Sequence, residues 1–143
     1  MTRIVCKRMS RMIEELLDKP YRIIDILPAQ VPEGSPGQYF AVEKYLLKEQ
    51  LPEIRRRHLN VILKLNCYLD IAIDGEVNPP PEKIEGIMRT GYVYIMVKDA
   101  MILSEPDDTH MTLFNPDDQL LDLVRTIALS EGLFVWQPPR EGK

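Results

Sequence analysis

Residues 51–73, LPEIRRRHLNVILKLNCYLDIAI, fit two periods at once, and the choice between them decides the fold. Val61, Leu63, Leu65, Cys67, Leu69, Ile71 and Ile73 alternate with mostly polar neighbours, as the two faces of a long strand would. At about 100° per residue, however, Glu53, Arg56, Arg57, Asn60 and Lys64 fall on one side of a helix. Ile54, Val61, Ile62, Leu65 and Leu69 fall on the other, and Pro52 stands where a first helical residue belongs. The stretch is read as a helix over 52–67 followed by a strand over 69–74.

Working outward, the 12 prolines mark the joints between periodic segments. On the amino-terminal side, Ser10 is expected to cap a helix running to about Asp18, with Met12, Ile13, Leu16 and Leu17 on one face and Pro20 beyond its end. Tyr21 to Leu27 reads as an isoleucine-rich strand. After the Pro- and Gly-rich loop 28–37, residues 38–47 read as a strand because Tyr39, Phe40, Val42 and Tyr45 favour a pleated surface. Ala41, Glu43 and Lys44 keep a helix as the alternative there.

On the carboxy-terminal side, residues 78–81 form a stiff linker, and Pro81 opens a short helix over 82–88. Residues 92–97 and 100–104 read as a hairpin turning at Lys98-Asp99, and 110–114 as a further strand. A helix over 116–130 follows, with Asn115 as cap, Pro116 in first position, Leu120, Leu121, Val124, Ile127 and Ala128 inward, and Gly132 at its end. Residues 133–137 close the pattern as a strand carrying Trp136, before a flexible polar tail at 138–143. Together these elements predict an α+β fold with a mainly antiparallel or mixed sheet and about three helices packed on it. The 143 residues suit a single domain, and the order of elements leaves open two similar halves, about 1–77 and 82–137.

Hydrophobic residues at 45% and charged residues at 28% are the ordinary globular mix, and no apolar run is long enough for a membrane, so no membrane association is expected. With only Cys6 and Cys67, far apart, a reducing cytoplasmic setting is expected, with plain thiols. The formal charge of -4 has the wrong sign for a dedicated nucleic-acid binder. Its distribution is uneven: residues 1–65 hold 12 basic and 8 acidic side chains, residues 66–143 hold 6 and 14. Such opposition is expected either to be dispersed over solvated faces or to draw the chain to a protein partner or a second copy.

The seven glycines include no dinucleotide fingerprint, and Gly86 and Gly91 have the P-loop gap but are followed by Tyr92 and Val93 instead of Lys and Ser or Thr. Gly34-Ser35-Pro36-Gly37 lacks the spacing of a serine nucleophile elbow. The two cysteines and two histidines are too scattered for a structural zinc, and no cofactor is expected. Within Glu105–His110, Asp107, Asp108 and His110 offer oxygens and an imidazole to a cation, but three side chains within four residues rarely complete a shell, and a solvated turn is expected instead. Asp70 with Asp74, or Asp107 with Asp117, could supply an acid and a base only in environments that split their pKa values.

Arg55, Arg56, Arg57 and His58, with amino-terminal Arg3, Lys7, Arg8 and Arg11, form small basic patches, with Tyr39, Phe40 and Tyr45 as stacking partners. In an acidic chain the expected role of such a run is the wet face of a helix. The leading expectation is a non-catalytic interaction domain that binds a protein partner or itself. A metal-dependent or acid/base enzyme in the acidic carboxy-terminal half comes second, and a weak nucleic-acid binder through the basic amino-terminal half third.

Overall fold

A computed structural model describes residues 7–139. Cys6, Arg3 and the last four residues of the expected tail lie outside the described residues. Seven strands form one sheet: β1 (Tyr21–Asp25), β2 (Ala72–Ile73), β3 (Glu76–Val77), β4 (Val93–Val97), β5 (Ala100–Ser104), β6 (His110–Phe114) and β7 (Phe134–Trp136). Their order is β3-β2-β4-β5-β6-β1-β7, and every neighbouring pair is antiparallel. The described residues hold five helices, more than the three expected: α1 (Lys7–Leu17), α2 (Tyr39–Glu49), α3 (Leu51–Tyr68), α4 (Pro81–Thr90) and α5 (Asp118–Ser130). The fold is α+β with an antiparallel sheet.

Helical periodicity wins over residues 51–68 because it brings Ile54, His58, Val61, Ile62 and Leu65 to one buried face. The alternation that mimicked a strand has no consequence there, since Leu63 is only partly buried and Cys67 is exposed. The strand expected over 69–74 shrinks to Ala72–Ile73, because Asp74 and Gly75, both at positive φ (51° and 84°), turn the chain into the hairpin with β3. Asn78 then fixes the hairpin's exit: its Oδ1 accepts from the Ile71 backbone N–H at 3.0 Å and from Asn66 Nδ2 at 2.8 Å.

The strand expected over 38–47 is instead helical from Tyr39 onward. Tyr39–Glu49 buries no residue, so the packing that would reward β-branched and aromatic side chains in a sheet is absent, and Ala41, Glu43, Lys44, Leu46 and Leu47 take their local preference. The strand expected over 21–27 ends at Asp25, the helix expected over 82–88 runs to Thr90, and two expected caps are not caps. α1 is already under way at Lys7, so Ser10 is not its cap. Asn115 and Pro116 precede α5; the cap is Asp117, whose Oδ1 accepts from the Leu120 N–H at 2.7 Å. Asn115 (φ 61°) instead donates from its backbone to Pro20 O at 2.8 Å and from its side chain to Asp99 O at 2.9 Å. At the other end Gly132 (φ 74°) closes α5 as expected, with Leu133 N–H bonded to Ala128 O at 2.8 Å and Gly132 N–H to Leu129 O at 3.1 Å, a Schellman pair.

Registers assign the two faces of the sheet. Val93, Ile95 and Val97 of β4, Ala100 and Ile102 of β5, Met111 and Leu113 of β6 and Ile24 of β1 share one face. That face forms one cluster with Val61, Ile62 and Leu65 of α3, Ile84 and Met88 of α4, and Leu120, Val124, Ile127 and Ala128 of α5. Ile23, Met101 and Phe114, on the opposite face, are also buried but stand outside that cluster. The end of β5 and the start of β6 emerge at one end of this sandwich, and the segment between them meets the first turns of α3.

Candidate functional site

At that end the helical spacing of α3 aligns Pro52, Arg55, Arg56 and Leu59 along one flank, and that of α4 aligns Glu85, Met88 and Arg89. The two flanks and the segment Ser104-Glu105-Pro106 enclose a cleft of about 200 Å³. His58 also lines it, although the residue is only 2% exposed. Burial holds its ring well below the ordinary histidine value, at a pKa of about 4, against a weaker opposing pull from a backbone hydrogen bond to Thr109. His58 is therefore neutral near pH 7, and its Nε2 is buried with no hydrogen-bond partner among the described residues.

The basic run and the acidic loop, which lie 51 positions apart between Arg55 and Pro106, meet here. Arg55 Nε donates to Pro106 O at 2.8 Å, and its Nη2 lies 3.3 Å from Asp107 Oδ1. Arg56 forks onto both Glu53 oxygens and Arg57 Nε reaches Glu53 Oε1 at 3.4 Å, which lowers the Glu53 pKa, chiefly through Arg56. All three guanidiniums of the run are thus engaged by carboxylates of their own chain.

The loop 105–109 separates the cleft from a second polar group on the other face of the sheet. Asp25, ending β1, stands directly across from His110, beginning β6. His110 Nδ1 lies 3.0 Å from Asp108 Oδ1, which also accepts from the Thr109 N–H at 2.8 Å. Hydrogen bonding to Asp108 raises the His110 pKa. Burial pushes the Asp108 carboxyl up, but His110 and the loop's backbone N–H groups outweigh it, and the net shift is downward. Asp25 goes the other way: burial raises it, although its oxygens accept from the Ile26 N–H at 2.7 Å and Trp136 Nε1 at 3.3 Å. Tyr39, at the start of α2, is pushed up to about 12 by burial and by donating to Glu43 Oε2 at 2.8 Å, and it feels the charges of Asp25 and Asp108.

Asp107 is drawn to Arg55 while Asp108 and His110 pair with each other, so the three cation candidates do not converge. Among the described residues no group of three or more His, Cys, Asp or Glu side chains is arranged to hold a metal ion. Of the carboxylate pairs considered, Asp70 accepts from Asn78 at 2.9 Å, and Asp117 caps α5 and pairs with Lys98 at 3.1 Å. Cys67 is a free thiol exposed on α3.

Comparison with models of protein families, with curated proteins and with solved structures finds no match to this chain. No helix among the described residues is long and apolar enough to cross a membrane.

Sequence reasoning missed Asp25, Ser104, Glu85, Met88 and Arg89. The i, i+4 spacing of Glu85 and Arg89 on a proline-opened helix was the available signal for one wall of the cleft. An acidic residue ending the isoleucine-rich strand at Asp25 was the other. Nothing in the sequence pairs Asp25 with His110, because their contact depends on the register of two strands 85 positions apart.

Proposed function

We propose that this chain is a binding domain that works by docking a protein partner on α2. One observation carries the reading. α2 has no buried residue, and it presents Phe40 at 80%, Tyr45 at 60% and Val42 at 45% exposure. An 11-residue helix is marginal in isolation, and Tyr39, Glu43, Leu46 and Leu47 give it only a half-buried seat. Single exposed apolar side chains are ordinary, but two aromatics and a valine on one such helix are what an interface anchor uses. The opposed charges of the two halves lend less support, because Arg55 with Asp107 and Lys64 with Glu131 join them within the chain.

The test is site-specific photo-crosslinking in cells, with a photoreactive residue at Phe40 and, as control, at exposed Glu82 of α4. A discrete adduct from position 40, missing from position 82 and lost on adding Tyr45→Ser, is expected. Its mass separates a second copy from a different protein. Identical adducts from both positions, or none, overturn the reading.

An acid/base enzyme is a second reading, favoured by the opposite pKa shifts of Asp25 and Asp108 around His110. Its difficulty is place: the cleft is lined by His58, Ser104 and Glu105, not by that trio.

A further inference from the structure

The cleft between α3 and α4 has features the docking of a partner on α2 leaves unused. Arg55 and Arg56 on its rim are tied to Pro106, Asp107 and Glu53. Arg89, Glu85 and Glu105 also line it, and their side chains make no hydrogen bond or ion pair among the described residues. Charges of both signs therefore line one small volume without a hydrogen-bond or ion-pair partner among the described residues, although Glu105 also acts at longer range on His110. At the floor sit two buried polar residues, His58, whose Nε2 is unpartnered, and Ser104. Between floor and rim the walls are apolar, with Leu59 and Met88 foremost.

From this arrangement we infer that the cleft binds a free zwitterionic α-amino acid with an apolar side chain. About 200 Å³ is below the range of roughly 300–1,000 Å³ typical of drug-sized ligands, so the occupant is small. A plain carboxylate would be repelled by Glu85 and Glu105, and a plain amine by Arg89, since Arg55 and Arg56 are already held by Asp107 and Glu53. A zwitterion satisfies both sets: its carboxylate takes the planar fork of Arg89, and its ammonium takes Glu85 or Glu105. The aliphatic side chain lies on Leu59 and Met88 and displaces water from them. A neutral His58 suits this ligand, because a charged imidazole would oppose the ammonium.

Two-dimensional NMR titration of the full chain with L-leucine, L-methionine and L-valine tests it, with isovalerate and isoamylamine as single-charge probes. At least one amino acid is expected to give saturable shifts on α3 and α4 with Kd of about 1 mM or below, and each single-charge probe to bind about tenfold weaker. Arg89→Gln, an exposed substitution, is expected to weaken the amino acid about tenfold with an unchanged thermal melt, and Arg125→Gln on α5 to leave binding unaltered. The inference is overturned by the absence of saturable shifts up to about 10 mM, by isovalerate or isoamylamine matching the amino acid, or by Arg89→Gln retaining full affinity.

Discussion

Lys64 Nζ lies 2.6 Å from Glu131 Oε2, joining the carboxy-terminal half of α3 to the carboxy-terminal cap of α5. The Glu131 side chain is only 9% exposed and also accepts from Asn60 Nδ2 at 3.1 Å. Burial alone would raise its pKa, but Lys64 and Asn60 outweigh burial and lower it. A carboxylate depressed in the folded state stabilises above its unfolded pKa, and that contribution is lost as pH falls through the folded value. Lys64→Met leaves the carboxylate without its cation, and a loss of about 1–2 kcal/mol is expected at pH 7, moderated because the lysine is half-exposed. Urea melts check it: the gap between variant and parent is expected to narrow towards pH 3, and a gap independent of pH would show that the ion pair is not its cause.

Val124 is fully buried where α5 meets the sheet, in the cluster that includes Leu120, Ile127 and Leu113. Val124→Asp places an unpaired carboxylate there, a cost of several kcal/mol that is expected to unfold the chain at neutral pH. Arg125→Asp, one residue on and exposed, is expected to change stability by no more than about 0.5 kcal/mol. Circular dichroism melts in which the two variants coincide would contradict the assigned inward face of α5.

Gly132 sits at φ 74° in the Schellman turn after α5, where a β-carbon is strained. A Cβ there would also come within 2.9 Å of Arg57 Nη1, the flexible end of a side chain that can move aside. Gly132→Ala is therefore expected to cost about 1 kcal/mol through the backbone, a fall of roughly 3 °C in Tm. If the melt is unchanged or rises, the backbone at this turn is not under the constraint its dihedral angle implies.

These elements also show what could be read before the fold was known. α5 and the β4–β5 hairpin were legible because local chemistry and tertiary packing agree: Leu120, Val124 and Ile127 recur at helical spacing, and Val93, Ile95 and Val97 alternate. α2 was not, because Tyr39, Phe40, Val42 and Tyr45 have strand preferences that matter only where a sheet packs them. The Asp74-Gly75 hairpin signal was present but masked by the alternation running up to Ile73. Of the candidate site, the residue types at 55–58 and 105–110 drew attention on their own. Their meeting did not, since Arg55 finds Pro106 only through the packing of α3 beside the end of β5.

His58 gives the most direct reading of that meeting in solution. Its ring titrates near pH 6.5 when unfolded but only at about 4 in the fold, because burial opposes the charged form. Between these values the unfolded chain binds the extra proton, so stability rises with pH across the window and falls on acidification through it. The difference corresponds to about 3 kcal/mol lost between pH 7 and pH 4, with only a small further loss from this group below that. His110 works in the opposite direction: its pKa is raised by Asp108, so its contribution is complete below about pH 6.5 and is lost as pH rises through the folded value. The difference between parent and His58→Leu separates the two, since only the His58 contribution disappears in the variant. Chemical denaturation at intervals from pH 4 to pH 8 is expected to show a shallower acid decline in His58→Leu than in the parent. Parallel curves would mean that the ring escapes burial when it is protonated, and the floor of the cleft would then open in acid.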